Sequence, residues 1–157
     1  VAGLTHILAE PPTQMTIVDQ SRDSLGFIDS GVTHRPRTVT METVQENLAQ
    51  FAMGRHRHNF EKQDGIVLHG LLEYMPERIA VSLLRVAKNL LEPGGLVVAT
   101  ALRPSEDRYL IDHLLSWPTV RRSPESIENL IQAAGLRLAE VPASPDPLLV
   151  CAGTTKN

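Results

Sequence analysis

With 157 residues, 42% of them apolar and 21% charged, the chain is long enough to bury one core and has the composition of a single soluble globular domain over residues 1–157. A net charge of −3, from 15 Lys and Arg against 18 Asp and Glu, argues against the broad basic face that nucleic acid requires, and no apolar run approaches the roughly 20 residues that cross a bilayer. The single cysteine, Cys151, closes no internal disulfide, so the expected compartment is the cytoplasm.

In chain order, Ala2, Leu4, Ile7 and Leu8 recur at helical spacing until Pro11-Pro12, which predicts the end of a helix over 2–10. Met15-Thr16-Ile17-Val18-Asp19 reads as a short strand closed by an acid. Ser21-Arg22-Asp23-Ser24 then supplies an N-cap and a first-turn acid for a helix carrying Leu25, Phe27 and Ile28, with Gly31 as its stop. The β-branched run Thr38–Val44 predicts a strand, followed by a helical stretch through Leu48 and Phe51. Gly54–Asn59 is polar and basic and reads as a solvated loop. Ile66-Val67-Leu68, bounded by Asp64-Gly65 and Gly70, has the continuous apolar character of a strand buried on both faces.

Ile79-Ala80, Leu83-Leu84, Val86-Ala87 and Leu90-Leu91 form a helical stripe opened by Pro76 and Glu77 and ended by Pro93-Gly94-Gly95. A second buried strand is expected over Leu96–Leu102, and Ser105-Glu106-Asp107 opens a helix bearing Tyr109, Leu110, His113 and Leu114. Ser123-Pro124-Glu125 opens another, with Ile127, Leu130, Ile131 and Ala134 buried and Gly135 as its stop. Arg137–Val141 and Leu148–Ala152 complete the pattern as two strands joined by a Pro-rich turn. The alternation of strand and helix through residue 102 implies parallel crossovers, and the short last connector implies an antiparallel edge.

Three groups of residues carry a resemblance to a family. They are the acid Asp19 ending a strand, the segment Asp64-Gly65-Ile66-Val67 running to Leu72-Glu73-Tyr74, and Leu90-Leu91-Glu92-Pro93-Gly94-Gly95-Leu96-Val97-Val98. With the closing two-stranded edge, the chain resembles class I S-adenosylmethionine-dependent methyltransferases over nearly its whole length. The resemblance implies an α/β fold, a Rossmann-like three-layer sandwich with a mostly parallel sheet and an antiparallel C-terminal edge. The Leu-Glu-Tyr-Met-Pro segment and the stretch from Trp117 to Glu125 are similar, more narrowly, to methyltransferase domains of bacterial proteins associated with hydroxy-fatty-acid methyl ester formation.

The resemblance also implies roles for particular residues. Asp19 would accept hydrogen bonds from the ribose hydroxyls of S-adenosylmethionine, chemistry suited to an acceptor-only carboxylate, although an Asp here also caps a following helix. Gln20 would line the adenine pocket, and Glu46 or Asn47 would meet the adenine amino group, unless both occupy a solvated helix face. His69 and Gly70 would line the methionine portion of the cofactor. His69 is the candidate general base, against a purely structural hydrogen-bonded role. Leu71, Glu73 and Tyr74 would line the substrate cavity, with Tyr74 alternatively packing on the next helix. His56-x-His58 lacks further ligands at useful spacing, so no metal is expected. Arg121-Arg122 receives no role.

In that family a first strand and a glycine-rich loop precede the helix expected at 2–10, and Gly3 would be the tail of that loop. The chain is therefore expected to be the C-terminal portion of a methyltransferase-like domain, active on a small-molecule acceptor when the N-terminal segment is supplied. The alternative is an inactive binding or scaffold domain that regulates or dimerises with a partner, possible as a homodimer. Another nucleotide-binding α/β enzyme is the least favoured of the three.

Overall fold

The computed structural model describes residues 12–31, 38–55, 57–104, 112–113, 116, 118–139 and 148–154. They fall into two compact units, one within residues 1–51 and 55–59, the other within 52–54 and 60–157. The helices expected at 2–10 and from Ser105, with Gly3, His56 and Trp117, lie outside the described residues.

The first unit is built on strands β1 (Thr13–Asp19) and β2 (Val39–Gln45), joined through helix α1 (Arg22–Gly31). The strands pair parallel in unbroken register from Thr13↔Val39 to Asp19↔Gln45, so their carboxyl ends finish side by side. Ser21 caps α1 by accepting the Ser24 N–H on Oγ at 3.2 Å. α1 packs over both strands through Leu25, which is buried. Phe27 is 77% exposed. It lies two residues from Leu25, about 200° around the helix, on the opposite face. A short helix α2 (Leu48–Ala52) follows β2.

The second unit holds a four-stranded sheet ordered β3-β4-β6-β5, from β3 (Gln63–Leu68), β4 (Leu91–Leu102), β5 (Arg137–Ala139) and β6 (Leu148–Thr154). β3 and β4 are parallel, while β6 runs antiparallel to both β4 and β5, which is the C-terminal antiparallel edge expected from the short connector. Helix α3 (Glu77–Leu90) follows a single 3-10 turn at Leu72–Tyr74, and helix α4 (Pro124–Ala133) precedes β5. The two helices pack on each other. Ala80, Leu83, Leu84 and Ala87 of α3 and Ile127, Leu130 and Ile131 of α4 form the core with Leu68, Val97, Ala99 and Ala101. Each large side chain removed from water in this way contributes about 1.5–3 kcal/mol.

Helix ends are held by side chains from neighbouring segments. Ser123 caps α4 through Ser126 N at 3.2 Å, with Pro124 in the first turn. Lys62 Nζ donates to Asn89 O at 2.6 Å at the end of α3, and Arg85 Nη2 donates to Ala133 O at 2.9 Å at the end of α4. Cations at these carboxyl ends also complement the helix dipole.

Two sequence expectations need correction. Val67 is 53% exposed, so β3 is not buried on both faces. Side chains alternate along a strand, and Leu68, beside Ala99 in the register, takes the covered face. The Pro93-Gly94-Gly95 segment is not a turn outside the strand. α3 stops at Leu90 and the chain pairs with β3 at once through Gln63↔Leu91, then advances to Gly65↔Leu96, so Pro-Gly-Gly is an irregularity carried inside β4. Gly94 adopts φ +82°, and a Cβ on Gly95 would sit 2.9 Å from Glu92 O and 3.1 Å from Asp64 O. Backbone atoms on both sides leave no room for a side chain.

Gly95→Ala is accordingly expected to lower the unfolding free energy of this unit by about 1–3 kcal/mol in urea titration. Gly65→Ala, whose Cβ would meet only Leu96 O at 3.8 Å, should change it by less than about 0.5 kcal/mol.

Candidate functional site

Ligands of open α/β sheets gather at the carboxyl ends of parallel strands. Each unit has one such end of its own, and the residues singled out in the sequence divide between the two.

In the first unit, Asp19 ends β1 and its carbonyl accepts the Glu46 N–H at 3.0 Å, which joins the ends of β1 and β2. Its Oδ1 accepts the Ser21 N–H at 2.7 Å, a turn that fixes the carboxylate ahead of α1. Oδ2 has no hydrogen-bond partner among the described residues. Gln20 is exposed, and its carbonyl accepts from Gln45 Nε2 at 3.2 Å. Asn47 is the N-cap of α2, accepting Gln50 N–H on Oδ1 at 3.0 Å. Glu46 is 5% exposed and so does not sit on a solvated helix face. Its Oε1 accepts the backbone N–H groups of Arg57 and His58, both at 2.7 Å, so this oxygen organises the basic loop that follows.

In the second unit, the parallel pairing that sets Leu68 beside Ala99 brings His69 and Gly70 to Thr100. Gly70, at φ +66°, donates its N–H to Thr100 Oγ1 at 3.0 Å, and His69 Nδ1 lies 3.2 Å from the same oxygen. When the hydroxyl donates to Nδ1, the imidazole carries its proton on Nε2. His69 as a residue is exposed.

The turn at Leu72–Tyr74 follows directly. Leu71 is partly buried, and Tyr74 is 52% exposed. Glu73 is 7% exposed and its Oε2 is without a hydrogen-bond partner among the described residues; Thr119, also 7% exposed, has an unpartnered Oγ1. Glu73 Oε1 lies 3.7 Å from where a Cβ on Gly70 would stand, so the carboxyl reaches back over the His69-Gly70 corner.

Two residues passed over in the sequence take part here. Thr100 is a hydroxyl inside an otherwise apolar strand, and that interruption was the available signal. Arg122 is 3% exposed, not an exposed cation. Burial pushes its guanidinium below the usual arginine range, opposed by the charges of Glu77 and Glu73. Nothing in the sequence distinguishes it from Arg121. Among the described residues no three His, Cys, Asp or Glu residues group as metal ligands do, and no helix is long and apolar enough to cross a membrane.

This architecture is the class I S-adenosylmethionine-dependent methyltransferase fold. The pyocyanin biosynthetic protein PhzM superposes with a TM-score of 0.66 over 95% of this chain and 45% of its own, at 18% identity. Magnesium protoporphyrin IX methyltransferase ChlM from Synechocystis PCC 6803, solved with bound SAH, gives 0.70 over 99% of this chain and 69% of its own, at 11% identity. CalO1, a methyltransferase of calicheamicin biosynthesis in its SAH-bound form, gives 0.62 over 98% and 54%, at 18% identity. The chain thus spans less than half the length of PhzM. No protein-family model and no curated protein sequence matches it.

Glu46→Ala removes both charge-assisted bonds to the 57–58 backbone, and a loss of about 2–3 kcal/mol in the stability of the first unit is expected. Amide exchange measured by NMR should accelerate most at Arg57 and His58.

Proposed function

We propose that the chain is the greater part of the catalytic domain of an S-adenosylmethionine-dependent methyltransferase acting on a small-molecule acceptor. The observation that carries this reading is Asp19. It is a carboxylate at the carboxyl end of a parallel strand, held by one oxygen through Ser21 N–H, with Oδ2 open to a ligand. Acceptor-only oxygens suit the two vicinal hydroxyls of a ribose, so the residues present fit the nucleoside part of the cofactor. The folds of ChlM and CalO1, whose structures hold SAH, support the same assignment.

In this reading Gln20 flanks the adenine, and Asn47, fixed by its capping bond, bounds the pocket edge. Glu46 acts on that pocket by holding the 57–58 loop. Gly70, with no side chain and a backbone held by Thr100, permits close approach of the methionine portion, and Leu71 lines the acceptor side. The cofactor when bound supplies a sulfonium methyl group to a nucleophilic acceptor atom. The protein's contribution is chiefly to align the two and exclude water. His69, with Nδ1 on the Thr100 hydroxyl, takes the acceptor's proton on Nε2 in the tautomer that leaves Nε2 unprotonated. Glu73 and Tyr74 border the acceptor. The similarity to enzymes of pyocyanin and calicheamicin biosynthesis supports an organic small molecule over nucleic acid.

Calorimetric titration with S-adenosylhomocysteine tests the reading. Binding is expected, and Asp19→Ala should weaken it by about 1.5–3 kcal/mol through loss of charged hydrogen bonds. A protein that takes up no ligand at millimolar concentration is not a methyltransferase of this kind.

A further inference from the structure

A buried guanidinium normally meets a carboxylate, because its charge is costly to remove from water. Arg122 makes no ion pair among the described residues. Its Nη1 donates to Leu72 O and its Nη2 to Met75 O at 2.6 Å, the two carbonyls that bracket the 3-10 turn. Its own N–H donates to Leu102 O at 2.9 Å, which ties the arginine to the end of β4, and the adjacent Val120 N–H donates to Glu73 O at 2.8 Å. Segment 120–122 therefore grips the turn, while Thr100 holds Gly70 just before it.

Sequence separations of 47 and 50 residues are spanned by these side-chain bonds, so local helix propensity is not what holds the turn in place. The planar fork of a guanidinium reaches two carbonyls in fixed relation, whereas an ammonium is a point donor. The grip is also electrostatically consistent, since Glu73 and Glu77 both favour the charged form of Arg122.

We propose that Arg122 is the positioning residue of the loop at 69–75: its fork on Leu72 and Met75 sets where His69, Gly70 and Glu73 stand relative to the cofactor and acceptor. The assignment rests on the functional reading of that loop given above. Arg122 acts through the loop and does not itself touch the reacting groups.

The test compares wild type with Arg122→Lys and Arg122→Met by amide hydrogen exchange, thermal melting and calorimetry with S-adenosylhomocysteine. Lysine should recover much of the melting temperature lost in the methionine variant. It should not recover the turn: exchange at Gly70, Tyr74 and Met75 should remain about tenfold or more faster than in wild type, and ligand affinity about tenfold weaker, the scale of losing one such bond. Protection at Leu83–Ala87 and Val97–Ala99 should stay as in wild type. Exchange that rises evenly through the unit, or a turn as protected with lysine as with arginine, overturns the proposal. So does a loosened turn with unchanged affinity. Wild-type protein that binds no ligand overturns the functional reading instead, and exchange at the turn then still decides whether Arg122 holds it.

Discussion

The parallel pairing of β3 with β4 is the constraint from which the second unit follows. Two strands that run the same way end at the same edge, so whatever follows β3 must emerge beside the end of β4. His69 therefore meets Thr100 by register, with no need of specific recognition between them. The same pairing demands that α3 carry the chain back along the sheet, and its apolar stripe becomes the core. It also explains the backbone compression at Gly95: the returning chain joins β3 at Leu91, one residue after the helix ends, and Gly95 lies in the irregularity before pairing resumes at Leu96. In the first unit β1 and β2 repeat the logic, with Asp19 and Glu46 in the corresponding place.

Polar groups left by this geometry are satisfied over long sequence separations. The carbonyls around the 3-10 turn are met by Arg122, and the end of α3 by Lys62. Against that pattern of pairing, the unpartnered Glu73 Oε2 and Thr119 Oγ1 stand out, since a buried polar atom without a bond costs about 1–3 kcal/mol. Both lie on segments joined by the Val120–Glu73 backbone bond, so the cost falls on the loop at 69–75 and the segment that meets it.

How far the sequence foretold this depends on the range of the interaction. Ser123-Pro124-Glu125, the β-branched strands and the stripe from Ile79 to Leu90 act within a few residues, and they mark elements that the structure contains. The Pro-Gly-Gly motif marked the right place with the wrong local form, because a bulge inside a strand and a turn before one use the same residues. Val67 was misjudged for a different reason. Apolar character records what a side chain tolerates, and only the placement of the helices decides which face is covered. Arg122 was invisible because its partners are backbone carbonyls, which every residue possesses. The candidate site was legible as a set of strand ends, while the bonds that orient its residues were not.

Asp19 and Glu46 show how a carboxylate at a strand end fixes the backbone that follows it. In Asp19, Oδ1 is bound to the Ser21 N–H, which removes rotational freedom from the side chain before any ligand arrives. In Glu46, Oε1 gathers two backbone donors and orders a basic loop whose own composition favours solvation. A carboxylate has about four lone-pair sites, so the bond to Ser21 does not exhaust the capacity of Asp19. Holding one oxygen in place lowers the entropy that a ligand must overcome at the other, which is the general advantage of preorganisation. The same reasoning applies to Thr100, whose single hydroxyl orders Gly70 and His69 at once. For Asp19, local capping is thus compatible with the proposed ligand role, since the capping bond fixes the geometry that such a role requires.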